Sequence, residues 1–107
     1  MPTPKPGSPV RGSQSGRPIM AAFDLLGRRW SLRVLWQLRE GPLTFRGLRE
    51  SCDTMSPSVL NVRLAELREA GIVELGDAGY SLTGQGKRLL NALAPLSDWA
   101  RDWAKTV

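Results

Sequence analysis

Within one stretch of eight residues, Ser56, Ser58, Asn61 and Arg63 supply two hydroxyls, a carboxamide and a guanidinium, with no carboxylate among them. If the stretch is helical, Leu60, Leu64, Leu67 and the neighbouring alanines form an apolar stripe, and Ser58, Asn61, Val62 and Arg63 face elsewhere. The chemistry this offers is recognition by hydrogen bonding. A helix whose N-terminal end carries short polar side chains and an arginine, while its other side grips a core, can enter the major groove of a duplex. The same pattern also describes an amphipathic core helix with a solvated outer face.

Bond-making chemistry has little to draw on. The 107 residues contain no histidine and a single cysteine, Cys52. One chain therefore cannot assemble a zinc site of the Cys and His type, a disulfide framework, or a Ser-His-Asp or Cys-His pair. The ten carboxylates are scattered beside basic residues without a pair that stands out. Gly84-Gln85-Gly86-Lys87-Arg88 lacks the earlier glycine and the following Ser or Thr of a phosphate loop. Neither an enzyme nor a cofactor is expected. No apolar run approaches the roughly 18 residues of a membrane span, and the start has no hydrophobic signal core. A cytoplasmic protein without a membrane partner is expected.

Fifteen basic residues against ten acidic ones give a net charge of +5, which favours an anionic partner. Lys5, Arg11 and Arg17 lie in the first 18 residues without an acid, leaving twelve basic against ten acidic residues in the remainder. Residues 1–17 are rich in proline, glycine and serine and read as a flexible basic arm. Residues 18–107 read as one domain.

The elements that must position the 56–71 stretch are marked by their ends. Ser56 can cap its helix, Pro57 fits the first helical position, and Gly71 suits a left-handed exit. Pro18 to Gly27 reads as a helix opened by proline and closed by glycine. Ser31 is placed as the cap of a second helix, Leu32 to about Glu40, with Leu32, Leu35, Trp36 and Leu38 as its apolar side. Leu43 and Thr44 can add a rung to a small sheet. Phe45 to Cys52 forms a third helix, with Phe45, Leu48 and Cys52 on one face and Arg46 and Arg49 pointing away. Asp53-Thr54-Met55 is then a turn of helix-turn-helix length. Ile72–Leu75 and Tyr80–Thr83 flank Gly76-Asp77-Ala78-Gly79 as a hairpin. Thr83 caps a last helix whose Leu89, Leu90, Leu93, Leu96, Trp99 and Trp103 recur at helical spacing, and Pro95 should kink or divide it. The apolar area at Leu96, Trp99 and Trp103 exceeds what so small a core needs, which points to a dimer interface. The fold class is mainly α, with a short two-stranded wing.

This order is that of a winged helix, and the chain resembles the HxlR-type regulators, within the broader MarR-like group. The resemblance rests on Leu25-Leu26-Gly27-Arg28-Arg29-Trp30-Ser31, on Ser56-Pro57 with Leu60, Arg63, Leu64 and Leu67, on Glu69-Ala70-Gly71-Ile72-Val73-Glu74, and on Tyr80-Ser81-Leu82-Thr83 with Gly86 and Leu90. Together these stretches are specific; singly they are not. The resemblance implies a homodimeric transcription factor that pairs through its first and last helices and reads a two-fold symmetric site on double-stranded DNA. It places Ser56, Ser58, Asn61 and Arg63 on the recognition helix. This wing is short and contains Asp77, unlike the longer basic wing usual in the family. Arg17 and Pro18 stand where redox-sensing members carry a cysteine, so thiol sensing of that kind is not expected.

Arg63 can donate a bidentate pair to guanine, contact a phosphate, or pair with Glu66 or Glu69; base contact is the expectation. Arg46 and Arg49, and more weakly Arg29, suit phosphate contact, with a solvated face as the alternative. Trp30 and Trp36 are expected in the core, and Cys52 as a small buried hydrophobe. A cavity lined by tryptophans at the dimer interface leaves room for a small-molecule effector. The competing function is a winged helix that binds protein rather than specific DNA, which the acidic wing keeps open.

Overall fold

Proline, glycine and hydroxyl residues set the ends of the elements in the computed structural model, which describes residues 3–8 and 16–107. Among these residues five helices and one hairpin follow in order. Pro18 opens α1 (Pro18–Leu26). After α2 (Ser31–Gln37), Thr44 caps α3 (Phe45–Ser51) by accepting from Gly47 N at 3.0 Å. Ser56 caps α4 (Pro57–Glu69) by accepting from Val59 N at 3.4 Å. Gly71, at φ 77°, ends α4 by letting its own amide and that of Ile72 turn back to the carbonyls of Arg68 and Leu67. Thr83 accepts from Gly86 N to cap α5 (Gly84–Ala104) and donates to the Gly71 carbonyl at 2.6 Å, joining the end of α4 to the start of α5.

The wing is the antiparallel pair β1 (Val73–Gly76) and β2 (Gly79–Leu82), with Val73 opposite Leu82 and Gly76 opposite Gly79. Leu43 adds the expected rung through two hydrogen bonds with Tyr80, of 2.9 and 2.8 Å. Gly79 is needed at this crossing. Its φ is 116°, and the Leu43 carbonyl occupies the space a Cβ would take. Val34, Leu35, Leu38, Leu48, Leu60, Leu64 and Leu67, drawn from α2 and the turn after it, α3 and α4, form the centre of the core. Winged helix-turn-helix architecture follows: α3, a turn, α4, then the wing.

Several local expectations are corrected. Ser31 does not cap α2; Trp30 holds that position at φ 76°, and Ser31 is buried inside the first turn. The helix stops at Gln37, because Leu38 to Glu40 turn toward Gly41-Pro42. Val34 joins the core, while Leu32 and Trp36 are 41 and 42 % exposed. Trp36 is thus outside the core, with the Arg39 guanidinium 4.0 Å above its ring. Ala65 lies outside the buried stripe of α4, and Glu66 lies within it. Pro95 does not divide α5. It removes one backbone donor, but Pro95 and Asn91 both face solvent, so water can satisfy the carbonyl left without a partner.

Part of the N-terminal arm lies against the domain. Pro4 is buried beside α1 and the start of α5, Thr3 Oγ1 donates to Glu69 at 2.8 Å, and Lys5 pairs with Glu69 at 3.7 Å. A proline loses little side-chain entropy on burial, so even a sparse segment can dock one ring. Arg11 lies outside the described residues.

Gly86 is buried where α5 begins, and a Cβ there would meet the Ile72 carbonyl and the Leu82 side chain. That carbonyl already accepts from Thr83 N at 3.0 Å and cannot easily withdraw. Gly86→Ala should therefore lower stability by about 1 to 3 kcal/mol through overpacking. Urea unfolding should show a lower midpoint with an unchanged slope.

Candidate nucleic-acid interface

The turn between α3 and α4 sets the direction in which α4 leaves the core. Asp53 and Thr54 both adopt left-handed backbone, at φ 57° and 56°, which costs each a local steric penalty of about 1 to 2 kcal/mol. Two contacts hold them there. Met55 buries its side chain in the core, and Arg49 Nε donates to the Met55 carbonyl at 2.7 Å. Arg33 adds a brace from α2, donating to the Ser51 carbonyl at 3.0 Å and pairing with Asp53 at 3.1 Å. Arg49 is half-buried and does not simply point away from the domain, because it supports the turn. Arg33 was not singled out from sequence, since nothing in its spacing links α2 to this turn.

Beyond the turn, Ser56, Ser58, Asn61, Val62 and Ala65 are all exposed. Ser58, Asn61, Val62 and Ala65 recur at three- and four-residue spacing and form one outward face of α4. The Ser56 and Ser58 hydroxyls lie 3.0 Å apart, so each can orient the other. Arg46, on α3, has a side chain 89 % exposed and an ion pair to Glu50 at 3.3 Å. A surface pair of this kind contributes little, about 0.3 to 0.5 kcal/mol, and yields readily to a phosphate. Arg29 is exposed at the α1–α2 turn.

Arg63 is placed differently. Its side chain is only 19 % exposed and turns back toward the domain. Nε donates to the Arg29 carbonyl at 2.6 Å and a terminal nitrogen donates to Glu66 Oε1 at 2.8 Å. The second Glu66 oxygen accepts from Arg28, which also pairs with Asp24 at 3.6 Å. Of the partners open to Arg63 from sequence, Glu66 is the one it has. The burial of Glu66 and its link to Arg28 were not foreseen. Their spacings to Arg63 and Asp24 are visible as i,i+3 and i,i+4 pairs, but their burial is not.

The wing carries Glu74 and Asp77 and no basic residue between Val73 and Leu82. At the far end of the molecule, Leu96, Trp99 and Trp103 are half or more exposed on α5, and the two indoles stack with centroids 5.3 Å apart. Cys52 is fully buried in the core, and burial pushes its thiol pKa up, against a smaller downward pull from Arg33. Among the described residues no helix is long and apolar enough to cross a membrane.

The model of HxlR-like helix-turn-helix proteins matches residues 25–107. The chain belongs to this family. It is 34 % identical to the uncharacterized HTH-type transcriptional regulator YvaP of Bacillus subtilis, over 77 % of this chain and 82 % of that protein. Its fold is similar to the quinone-bound structure of YodB from B. subtilis, with a TM-score of 0.73 and 33 % identity over 78 % of this chain and 96 % of that one. It is also similar to a possible HxlR family transcriptional factor from Thermoplasma volcanium, with a TM-score of 0.71 and 27 % identity over 82 % and 85 % of the two chains. This HxlR-like protein is a transcriptional regulator with a helix-turn-helix domain, from a family of regulators rather than enzymes.

A buried thiol whose pKa is raised presents little thiolate at neutral pH. Cys52 of the native regulator should therefore react with iodoacetamide at least about tenfold more slowly than in urea, where the thiol is free and its pKa ordinary. Equal rates measured by mass spectrometry would mean that the α3 end opens readily.

Proposed function

We propose that this regulator is a homodimer that reads a two-fold symmetric operator with α4. The observation that carries the proposal is the outward face of α4, where Ser58 and Asn61 stand exposed beside a helix start capped by Ser56. Ser58 and Asn61 are the candidates for base edges, and an Asn carboxamide suits adenine N6 and N7. Ser56 is suited to contacts at the groove rim. Arg46, and with it Arg29, supplies phosphate contacts that set the register. Arg49 acts through the turn it supports. The short acidic wing favours no minor-groove contact.

The second half of α5 supports dimerisation. Leu96, Trp99 and Trp103 would otherwise leave a large apolar surface in water. A homodimer also supplies the two-fold symmetry that gives two half-sites one helical turn apart. Residues 18–107 make up the winged domain in this proposal, and residues 1–17 the basic arm. An apolar or aromatic effector belongs to the proposal as well. It is supported by the quinone-bound state of YodB and by a groove of about 410 Å³ between α2 and α5, lined by Leu32, Trp36, Leu93 and Leu96. Cys52 is no part of that groove.

Selection from a random duplex pool should return a symmetric consensus. Asn61→Ala should lower affinity for that consensus by about 1 to 3 kcal/mol and leave binding to scrambled duplex nearly unchanged. Arg46→Ala should weaken both duplexes and reduce the salt slope by about one per subunit. Binding that is insensitive to salt would favour a protein-binding winged helix instead. In sedimentation at micromolar concentration the wild type should run at twice the chain mass and the Trp99→Ala, Trp103→Ala variant at the chain mass. A dimeric double variant would move the interface elsewhere.

A further inference from the structure

Arginine at the N-terminal half of a groove-reading helix is the side chain most expected to touch DNA, yet Arg63 is held by two partners that lie on the protein side. Nε is committed to the Arg29 carbonyl at 2.6 Å, and a terminal nitrogen to Glu66 at 2.8 Å. Glu66 is itself buried, with only 11 % of its side chain exposed, and it is shared between Arg63 and Arg28. Arg28 in turn pairs with Asp24, whose side chain is 9 % exposed. Two guanidinium groups and two carboxylates thus form a charge-balanced chain from α1, through the α1–α2 turn, to the middle of α4.

We propose that Glu66 withholds Arg63 from DNA and makes it a positioning residue that fixes α4 against the start of α2. This rests on the reading of α4 as the groove-entering helix. Arg63 is turned back toward the domain with 19 % of its side chain exposed, so extending it to a base edge means swinging it away from the Arg29 carbonyl and Glu66 together. Glu66 would keep only Arg28 while remaining buried, and a buried carboxylate stripped of a partner is strongly disfavoured. The Arg29 carbonyl would also lose its donor. A phosphate offers an exposed, hydrated alternative that competes poorly with a paired, largely dry one. Specificity then falls to the short side chains Ser58 and Asn61, and charge to Arg46. Holding a long cation back also limits affinity for duplexes of any sequence, since a freed arginine contributes to all of them equally.

The test measures the salt dependence of binding to random duplex DNA for Arg63→Ala, Glu66→Gln and the double variant, with Arg46→Ala as reference. Arg46→Ala should lower the slope of log affinity against log salt by about one per subunit, and Arg63→Ala should leave the slope unchanged. Glu66→Gln keeps the shape but removes the charge. It should free Arg63, raise affinity for random duplex at low salt about threefold or more, and steepen the slope by about one per subunit. Adding Arg63→Ala to Glu66→Gln should cancel that gain, an outcome that mere loosening of α4 would not produce. Should Glu66→Gln fail to fold, the Nε–H resonance of Arg63 in wild-type protein with 15N-labelled arginine decides the matter. It should keep its position and slow exchange when duplex is added. A shifted Arg63 resonance, a slope lowered by Arg63→Ala, or no steepening in a folded Glu66→Gln variant overturns the inference. If Arg46→Ala leaves the slope unchanged and the wild type ignores salt, the DNA-reading function itself fails.

Discussion

Glu66 lies between Leu64 and Leu67 on the buried side of α4, and a carboxylate in that position needs a charged or hydrogen-bonding partner. The rest of the domain is arranged to supply the pair. Arg28 comes from the turn after α1 and Arg63 from one turn back along α4 itself. Asp24 balances Arg28, and the Arg29 carbonyl accepts from Arg63 Nε. Leucines alone would seat α4 with latitude to rotate or slide, because apolar contact is not directional. The ionic chain removes that latitude, since each bond fixes a direction as well as a distance. The angle at which α4 presents its outer face is therefore set by α1 and the α1–α2 turn.

Charge on this domain is spent in two ways. Arg28, Arg33, Arg49 and Arg63 all brace the protein, each bonded to a carboxylate or a backbone carbonyl. Arg46 is left almost fully exposed, and Arg29 is exposed beside it in role. Counting basic residues thus overstates how many cations are free to make new contacts. With Glu74 and Asp77 on the wing, the exposed cations available to the proposed interface are Arg46 on α3 and Arg29 in the α1–α2 turn. A small set of phosphate contacts and short base-reading side chains is the economy that such a surface can support.

The apolar surface divides in the same manner. The core takes Val34 and Leu35 from α2, whereas Leu32 and Trp36 stay outside and meet the Leu93 and Leu96 side of α5 across a groove. Farther along α5, Trp99 and Trp103 stack on each other in solvent. Helix α5 is thus anchored at its start, by Thr83 and Gly86, and leaves Leu96, Trp99 and Trp103 of its second half exposed.

Read alone, the sequence determines the order of the elements and the starts of α1, α4 and α5, while both ends of α2 and the bounds of the two strands shift. Pro18, Pro57 and Gly71 act on the backbone locally, and Thr83 caps through its own hydroxyl, so their effects do not depend on distant residues. The hairpin around Asp77-Ala78, the rung at Leu43, the Leu60–Leu64–Leu67 stripe and the buried Cys52 are legible for the same reason: periodicity and turn chemistry are properties of a short window. What the tertiary structure decided is where side chains of one type differ in fate. Trp30 at a left-handed position, Trp36 in solvent, Ala65 outside the stripe and Pro95 within an undivided helix depend on which side of each helix meets another. The arginines depend on it most. Arg46 and Arg63 look equivalent in sequence, each with an acid three or four residues on. Only packing places Glu66 inside the domain and Glu50 outside it, and burial is what turns a weak surface pair into a restraint.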